Sequence, residues 1–355
     1  MVDAHRQPLR LICAETLPQR RALCDLAVAA CRDAGADPQI LDLAGDLERG
    51  AAAAPLQRLD DAQWSAQLWA QAQPVLQPWL QLLELEPDDN ALTVSQVPGL
   101  ASVLRCLYLA DQLQSHEDWV VLLPASPQAL EIVRLALQGP ELLEGLWQPL
   151  LQWWDLTRAR LAQFELVLRL RLPQAADLQL SASWRSALAH LAQRLSGSAG
   201  LEPAAELWLA MAVDAEDSLS SLNRRLVPWP LNGLSRLRVW LQGELCASAT
   251  EQLGASWQLP LLVQPTRPDV ASVGSWLAQA FAEPAMDWQR EGGEHRCRIV
   301  LPGLERDGLV VRQFEQQLLV RSGAHQLVVP LPPDVAMLSC RSARVESPCL
   351  LLRFC

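Results

Sequence analysis

The hydrophobic pattern of the first 45 residues predicts a strand, a helix and a second strand. Leu9–Ala14 is a short apolar run, and Arg20–Asp33 carries apolar residues at helical spacing before Gly35, which is placed as a helix C-cap. A second strand is expected within 38–45, and a strand–helix–strand unit of this length predicts a parallel sheet. Similar apolar runs predict further strands within 118–127, 205–214, 234–243 and 256–265.

Helical spacing dominates most of the segments between these strands. We expect helices over 56–116, 215–226 and 244–254, and the segment 269–281 closes the region. A long amphipathic stretch begins at about residue 140, and in it Leu143, Trp147, Leu150 and Trp154 recur at positions that share one helical face.

The hydrophobic period changes to two near the C-terminus. Residues 282–294 have the composition of a linker, and after them five short apolar segments alternate with Pro and Gly turns. The expected organisation is an α/β domain over 1–285 and a small all-β sandwich over 292–355. The predicted fold class is α/β, a mostly parallel sheet with helices on both faces and a helical insertion, plus the sandwich.

The amino-acid composition excludes one kind of catalysis and argues against some partners. The chain has no lysine, since all 29 basic residues are arginine, so lysine-dependent catalysis is excluded. The net charge of −11 argues against nucleic acid as a partner. No apolar run is long enough for a membrane span, and the first residues do not resemble a secretory signal. We therefore expect a cytoplasmic protein.

Nine cysteines are scattered without a C-x-x-C pair. This usage fits reduced, buried thiols. Cys24 and Cys31 lie on one face of the first helix and are the alternative, a soft-metal pair, but no histidine or thiol stands at ligand spacing beside them. No metal site is expected.

The order of segments resembles the ArsA-like ATPases, which include arsenite-pump ATPases and tail-anchored-protein targeting factors. The resemblance is carried by "LRLICAE", "PQILDLAG", "VSQVPGLASVL", "VVLLPASPQALEIVRLAL" and "LPLLVQP". The tail "IVLPGLERDGLVVRQFEQQLLVRSGAHQLVVPLP" resembles the α-crystallin-like, small heat-shock-protein-like domain that is fused to some bacterial members. The resemblance implies a P-loop-NTPase-like sheet and, in an intact member, ATP hydrolysis.

The resemblance places the family's phosphate loop on residues 14–21, and the chemistry of that loop is missing. The segment has no glycine, Pro18 lacks an N–H donor, and Glu15 would repel phosphate. Arg20 lies near the position of the loop lysine, but one arginine cannot replace the backbone N–H groups with which a glycine-rich loop binds phosphate. The degenerate positions are Glu15, Thr16, Pro18, Arg20 and Arg21, and no nucleotide cofactor is expected. For Arg20 and Arg21 the alternatives are a residual anion site and solvated charges in a helix's first turn.

Two groups of carboxylates are candidate sites. Asp42 could align with the family's acidic residue after the second strand, or it could be a strand-end or turn residue. The "DAED" segment at 214–217 follows a strand, where a site is permitted, but acidic residues also stabilise the start of a helix.

Three functions remain as hypotheses. The first is a nucleotide-independent pseudo-ATPase that binds a protein partner or a hydrophobic client segment, with a homodimer as a further assembly. The second is an active ATPase with a divergent loop, and the third is a structural scaffold. In targeting members of the resembled family, helices near 143–154 line a client groove, so Leu143, Trp147, Leu150 and Trp154 are the candidate client-binding face. The alternative is that this face packs on the core.

Overall fold

A computed structural model of the chain describes residues 9–47, 54–60, 63–64, 66–67, 70, 100–113, 118–137, 205–265, 268, 270–281, 286–291, 294–314 and 316–355. The chain forms two compact units. The first comprises Met1–Arg58, Asp118–Leu130 and Glu202–Cys355, and the second comprises Leu59–Glu117 and Glu131–Leu201.

The first unit contains a seven-stranded sheet in which all neighbouring strands are parallel, as predicted. The strand order is β3-β2-β4-β1-β5-β6-β7. The strands are β1 (Arg10–Ala14), β2 (Gln39–Asp42), β3 (Leu56–Arg58), β4 (Trp119–Leu122), β5 (Glu206–Val213), β6 (Leu237–Gly243) and β7 (Leu261–Gln264).

Strand β1 lies at the centre of this sheet, between β4 and β5. Arg10 is in register with Val120 of β4 on one side and with Glu206 of β5 on the other. Strands β2, β3 and β4 lie on one side of β1, and strands β5, β6 and β7 lie on the other side. The carboxyl end of β1 is therefore a topological switch point, the place where open α/β sheets form a crevice.

The helices of the described chain connect or flank these strands. They are α1 (Leu17–Asp33), α2 (Leu100–Leu113), α3 (126–137), α4 (Leu219–Leu226), α5 (Pro228–Leu231), α6 (Ala247–Trp257), α7 (Val270–Ala278) and, near the C-terminus, α8 (Pro333–Ala336). Helix α1 ends at Ala34, and Gly35 follows with φ +81°, a left-handed conformation that glycine adopts at low cost.

One face of the sheet is covered by α1 and α7. Alternate strand residues, including Ile12, Trp208 and Trp240, form one buried cluster with the inner side of α1 and with Trp276 of α7. The Trp208 and Trp276 rings pack edge to face, with centroids 5.2 Å apart. The β5–β6 and β6–β7 crossovers run across the sheet in the opposite direction to β1–β2. The right-handed rule therefore puts their helices on the other face.

The second unit contains α2 and residues near 64 and 131. The Trp64 indole N–H donates to the Leu104 carbonyl at 3.2 Å, and the Trp64 and Tyr108 rings meet edge to face at 5.1 Å. The Ser102 hydroxyl donates to Glu131 at 2.6 Å. Leu143, Trp147, Leu150 and Trp154 lie outside the described residues, so the client-binding face stays a prediction.

Two small antiparallel sheets occupy the C-terminal part of the first unit. Their orders are β10-β11-β12 and β13-β14-β9-β8. The strands are β8 (Met286–Glu291), β9 (Glu294–Val300), β10 (Leu309–Phe314), β11 (Gln317–Ser322), β12 (His325–Pro330), β13 (Cys340–Glu346) and β14 (Cys349–Phe354).

One hydrophobic core joins these two sheets. It contains Leu318 and Val320 from the three-stranded sheet and Leu350 and Phe354 from the four-stranded sheet, so the sheets pack face to face. Val227, the N-cap of α5, and Leu231, its last residue, belong to the same core. The predicted boundary between 285 and 292 stays a prediction, because the compact unit described above includes both the parallel sheet and these strands.

Some local predictions were wrong. Residues 56–58 form edge strand β3, held by parallel pairing of Leu56 with Ile40, whereas 56–116 was expected to be helical. Residues 286–291 form β8, although 282–294 was interpreted as a linker; Trp288 packs its ring on Phe354 at 5.6 Å. Strand β13 was not predicted, and it is mostly exposed. β3 pairs with β2, whereas β8 and β13 each pair with the strand that follows them, and the hydrophobic pattern of all three is too weak to predict them.

Candidate functional site

The degenerate phosphate-loop positions lie at the switch point. Residues 15 and 16 join the carboxyl end of β1 to the start of α1, and Leu17, Pro18, Arg20 and Arg21 belong to the first turns of the helix. This is the place in the sheet where a crevice for ligands is expected. The polar groups present there determine which ligands can enter.

The N-terminus of α1 is capped by its own side chains. The Thr16 hydroxyl accepts the Gln19 N–H at 3.4 Å, and the Gln19 amide oxygen accepts the Thr16 N–H at 3.1 Å, which together form a capping box. Arg20 donates its N–H to the Thr16 carbonyl at 3.0 Å, and Pro18 has no N–H. The first N–H groups of a helix can bind an anion, but here all except that of Leu17 are absent or already have an acceptor.

The Glu15 carboxylate occupies the space beside this helix start. It accepts the Ala212 backbone N–H of β5 at 2.8 Å and forms an ion pair with Arg225 of α4 at 2.5 Å. Arg225 also donates to the Ala212 carbonyl at 2.7 Å. At the switch point, Glu15, Arg225 and the Ala212 backbone therefore bind one another.

Arg20 and Arg21 have different environments. The Arg20 side chain is buried, at 4% exposure, pairs with Asp46 and donates to the Ala14 carbonyl at 3.4 Å. The interpretation of Arg20 as a solvated charge is therefore wrong, because its guanidinium ties β1 to the loop after β2. Arg21 is exposed, as that interpretation expected.

Asp42 is a turn residue. Its buried carboxylate accepts the N–H groups of Ala44, Gly45 and Leu47 at 2.9–3.0 Å and so organises the loop after β2. Three backbone donors satisfy a carboxylate well. Of the two alternatives considered for Asp42, the structure supports the turn.

The acidic segment 214–217 also acts locally. Asp217 accepts the Asp214 N–H at 3.2 Å, Asp214 accepts the Glu216 N–H at 3.0 Å, and the Ser221 hydroxyl donates to Asp217 at 3.2 Å. Asp217 lies 3.7 Å from Arg225 and extends the Glu15 network. These contacts build the turn into α4.

The buried thiols near the site are not activated. Burial raises the pKa of Cys13 to about 12, although the Arg20 charge acts in the opposite direction, and the thiol donates weakly to the Pro124 carbonyl at 3.6 Å. Burial likewise raises the pKa of Cys24 to about 12. A nucleophilic cysteine needs a thiolate, so neither is a candidate. Within the described part of the chain no group of three metal-ligating side chains is found, and Cys31 accepts a contact from Arg10.

Sequence reasoning missed the residues that close the switch point. Gln19 could have been found, because a Thr followed three residues later by Gln is a capping-box signature. Arg225 and Ala212 could not, since 210 and 197 residues separate them from Glu15. Only the sheet order brings β1 and the segment after β5 together.

Comparison with known proteins found neither a matching protein-family model nor a significantly similar curated protein. Among the helices of the described residues, none has the length and apolar character that crossing a membrane requires.

Proposed function

We propose that this chain is a nucleotide-independent protein of ArsA-like architecture that acts by binding a protein partner. The observation that carries the proposal is the Glu15 carboxylate at the switch point, bound to the Ala212 N–H and to Arg225. A fixed negative charge in that place opposes a phosphate group, and its removal would leave Arg225 without this partner. The self-capped start of α1 adds to this opposition.

The architecture supports the family part of the proposal. The resemblance implies a mostly parallel sheet with helices, and the chain has a seven-stranded parallel sheet of this kind. The antiparallel strands that follow match the implied C-terminal β domain in position. Retained architecture combined with lost phosphate chemistry favours binding over hydrolysis.

Calorimetric titration with ATP and magnesium tests the nucleotide part. We expect no saturable heat and no phosphate release above the rate without protein. The matched variant is Arg20→Gln, which removes the guanidinium that the resemblance places near the position of the loop lysine. Micromolar ATP affinity that is lost in Arg20→Gln would contradict the proposal and favour the active-ATPase alternative.

Substitutions in the predicted client-binding face test the partner part. Trp147→Ala and Trp154→Ala should weaken capture of an apolar helical peptide several-fold while leaving the melting temperature unchanged. Gln148→Ala and Gln152→Ala are the controls, because both lie in the same predicted helix but off the predicted face. If the tryptophan variants instead lower the free energy of unfolding by about 3–5 kcal/mol, the face is part of the core and does not bind clients.

A further inference from the structure

Helix α4 has a carboxylate from a distant part of the chain on each of two opposite sides. On one side Arg225 binds Glu15 at 2.5 Å. On the other side the Ser220 hydroxyl and the Asn223 amide donate to the Glu305 carboxylate at 3.3 Å and 3.0 Å. Successive helix residues are about 100° apart, so Arg225 points about 170° away from the mean direction of Ser220 and Asn223. One short helix therefore connects the switch point to the C-terminal sheets.

Glu305 lies in the loop 301–308 that follows β9, and this loop approaches α4 closely. Gly303 has a left-handed φ of +78°, and a Cβ atom at this position would lie only 3.2 Å from the Asn223 carbonyl oxygen. The buried Asn223 side chain has a further partner, because the Trp257 indole of α6 donates to its amide oxygen at 2.7 Å. With no side chain at Gly303, the loop lies directly against the α4 backbone.

Apolar contacts hold the same loop against the helices. Leu301 and Leu304 are buried in the C-terminal core, and this core also contains Val227 and Leu231 from the chain that follows α4. Separating the loop from the helices would expose these side chains to water, which is unfavourable. The hydrogen bonds to Glu305 and this core thus fix α4 from the side of the C-terminal sheets.

We propose that the C-terminal sheets hold α4 in the position at which Arg225 closes the switch point. Loop 301–308 fixes one side of the helix, and on the opposite side Arg225 reaches Glu15 and the Ala212 carbonyl. Displacing the loop moves α4 and takes the charged partner away from Glu15. The closed switch point is then a consequence of the docked C-terminal sheets. This inference concerns the position of a helix and does not depend on the proposed function.

The Ala212 N–H reports on the closed switch point, because Ala212 is exposed and the Glu15 carboxylate accepts this N–H at 2.8 Å. Its exchange in deuterated water is followed by NMR on the full chain. Gly303→Ala places a methyl group against the Asn223 carbonyl and should accelerate this exchange about tenfold. Gly308→Ala is the matched control, since Gly308 has φ +75° and a Cβ there would meet no described atom within 4 Å. Equal rates in the two variants would overturn the proposal.

A second pair of variants leaves the backbone conformation unchanged. Glu305→Ala removes the acceptor that α4 uses and should accelerate exchange of the Ala212 N–H several-fold, whereas Asp307→Ala, at an exposed acid of the same loop, should not. The N–H of Leu209, which is buried within β5, distinguishes local opening from unfolding and should keep its rate in Glu305→Ala. The proposal fails if both loop variants give the same rate at Ala212, or if Ala212 and Leu209 accelerate together in Glu305→Ala.

Discussion

Polar groups at the N-terminal start of α1 have hydrogen-bond partners, whereas two donors along the side of the helix do not. At the start, Thr16, Gln19 and Arg20 bond one another or the loop, and Glu15 is bound to Ala212 and Arg225. Along the side of the helix, the Gln19 Nε2 and Trp240 Nε1 groups have no acceptor within the described residues. The place that an open α/β sheet offers to ligands is thus closed by the chain's own groups.

The difference shows which polar groups at α1 the chain itself satisfies. In the described part of the chain, unpartnered indole N–H groups also occur at Trp229 and Trp276, so those beside α1 are not confined to one place in the fold. The switch point remains the natural site of its fold class, but in this chain its donors and charges have partners.

The largest expected effect is a loss of stability at alkaline pH. Its size depends on how completely water is excluded from the Cys13 thiol, which lies near the start of α1. Burial raises the pKa of Cys13 from its ordinary value of 9.0 to about 12, so the folded protein keeps a proton that the unfolded chain releases. Stability is therefore full below about pH 9 and falls as pH rises towards about 12, by about 1.4 kcal/mol per pH unit for this thiol. Urea unfolding from about pH 8 to about pH 11, under reducing conditions, measures the slope.

Cys13→Ala should reduce that alkaline slope. Cys246→Ala is the control, because Cys246 is exposed and a hydrogen bond with Ser248 lowers its pKa. An unchanged slope in Cys13→Ala would mean that water reaches the Cys13 thiol.

The next effect compares the two tryptophans on the same face of the sheet. Trp208→Phe removes a donor from the buried Glu206 carboxylate, whereas Trp240→Phe removes an N–H that has no acceptor among the described residues. Both lose the same ring volume, so Trp208→Phe should cost about 1–2 kcal/mol more in the free energy of unfolding. Equal costs would show that solvent satisfies the Trp240 donor and would weaken the contrast.

A smaller effect is expected at the helix cap. Thr16→Ala leaves the Gln19 N–H without its acceptor and should destabilise the protein by about 1 kcal/mol in chemical unfolding. Thr16→Ser keeps the hydroxyl and should be close to neutral. If Thr16→Ala also leaves the free energy of unfolding unchanged, the capping box does not stabilise the start of α1.

The smallest effect is expected from the Glu15–Arg225 pair, because both side chains are partly exposed, at 36% and 28%. A double-mutant cycle of Glu15→Gln and Arg225→Gln should give a coupling energy of about 0.5–1 kcal/mol that decreases with added salt. Zero coupling at low salt would mean that the ion pair does not contribute to closing the switch point.

The sequence alone determined features that depend on neighbouring residues. The apolar run of β1, the helical spacing of α1 and the return to β2 predicted the parallel sheet, because each element shows its own hydrophobic period and the crossover has one hand. The absence of glycine from residues 14–21 was likewise readable.

Only the tertiary structure decided which distant groups meet. Glu15 and Arg225 are 210 residues apart, yet their side chains form an ion pair. Strand β3 exists through parallel pairing with β2, although its own hydrophobic pattern is weak. The physical reason is range, since a capping box closes within four residues, whereas ion pairs and edge strands depend on the order in which the sheet assembles.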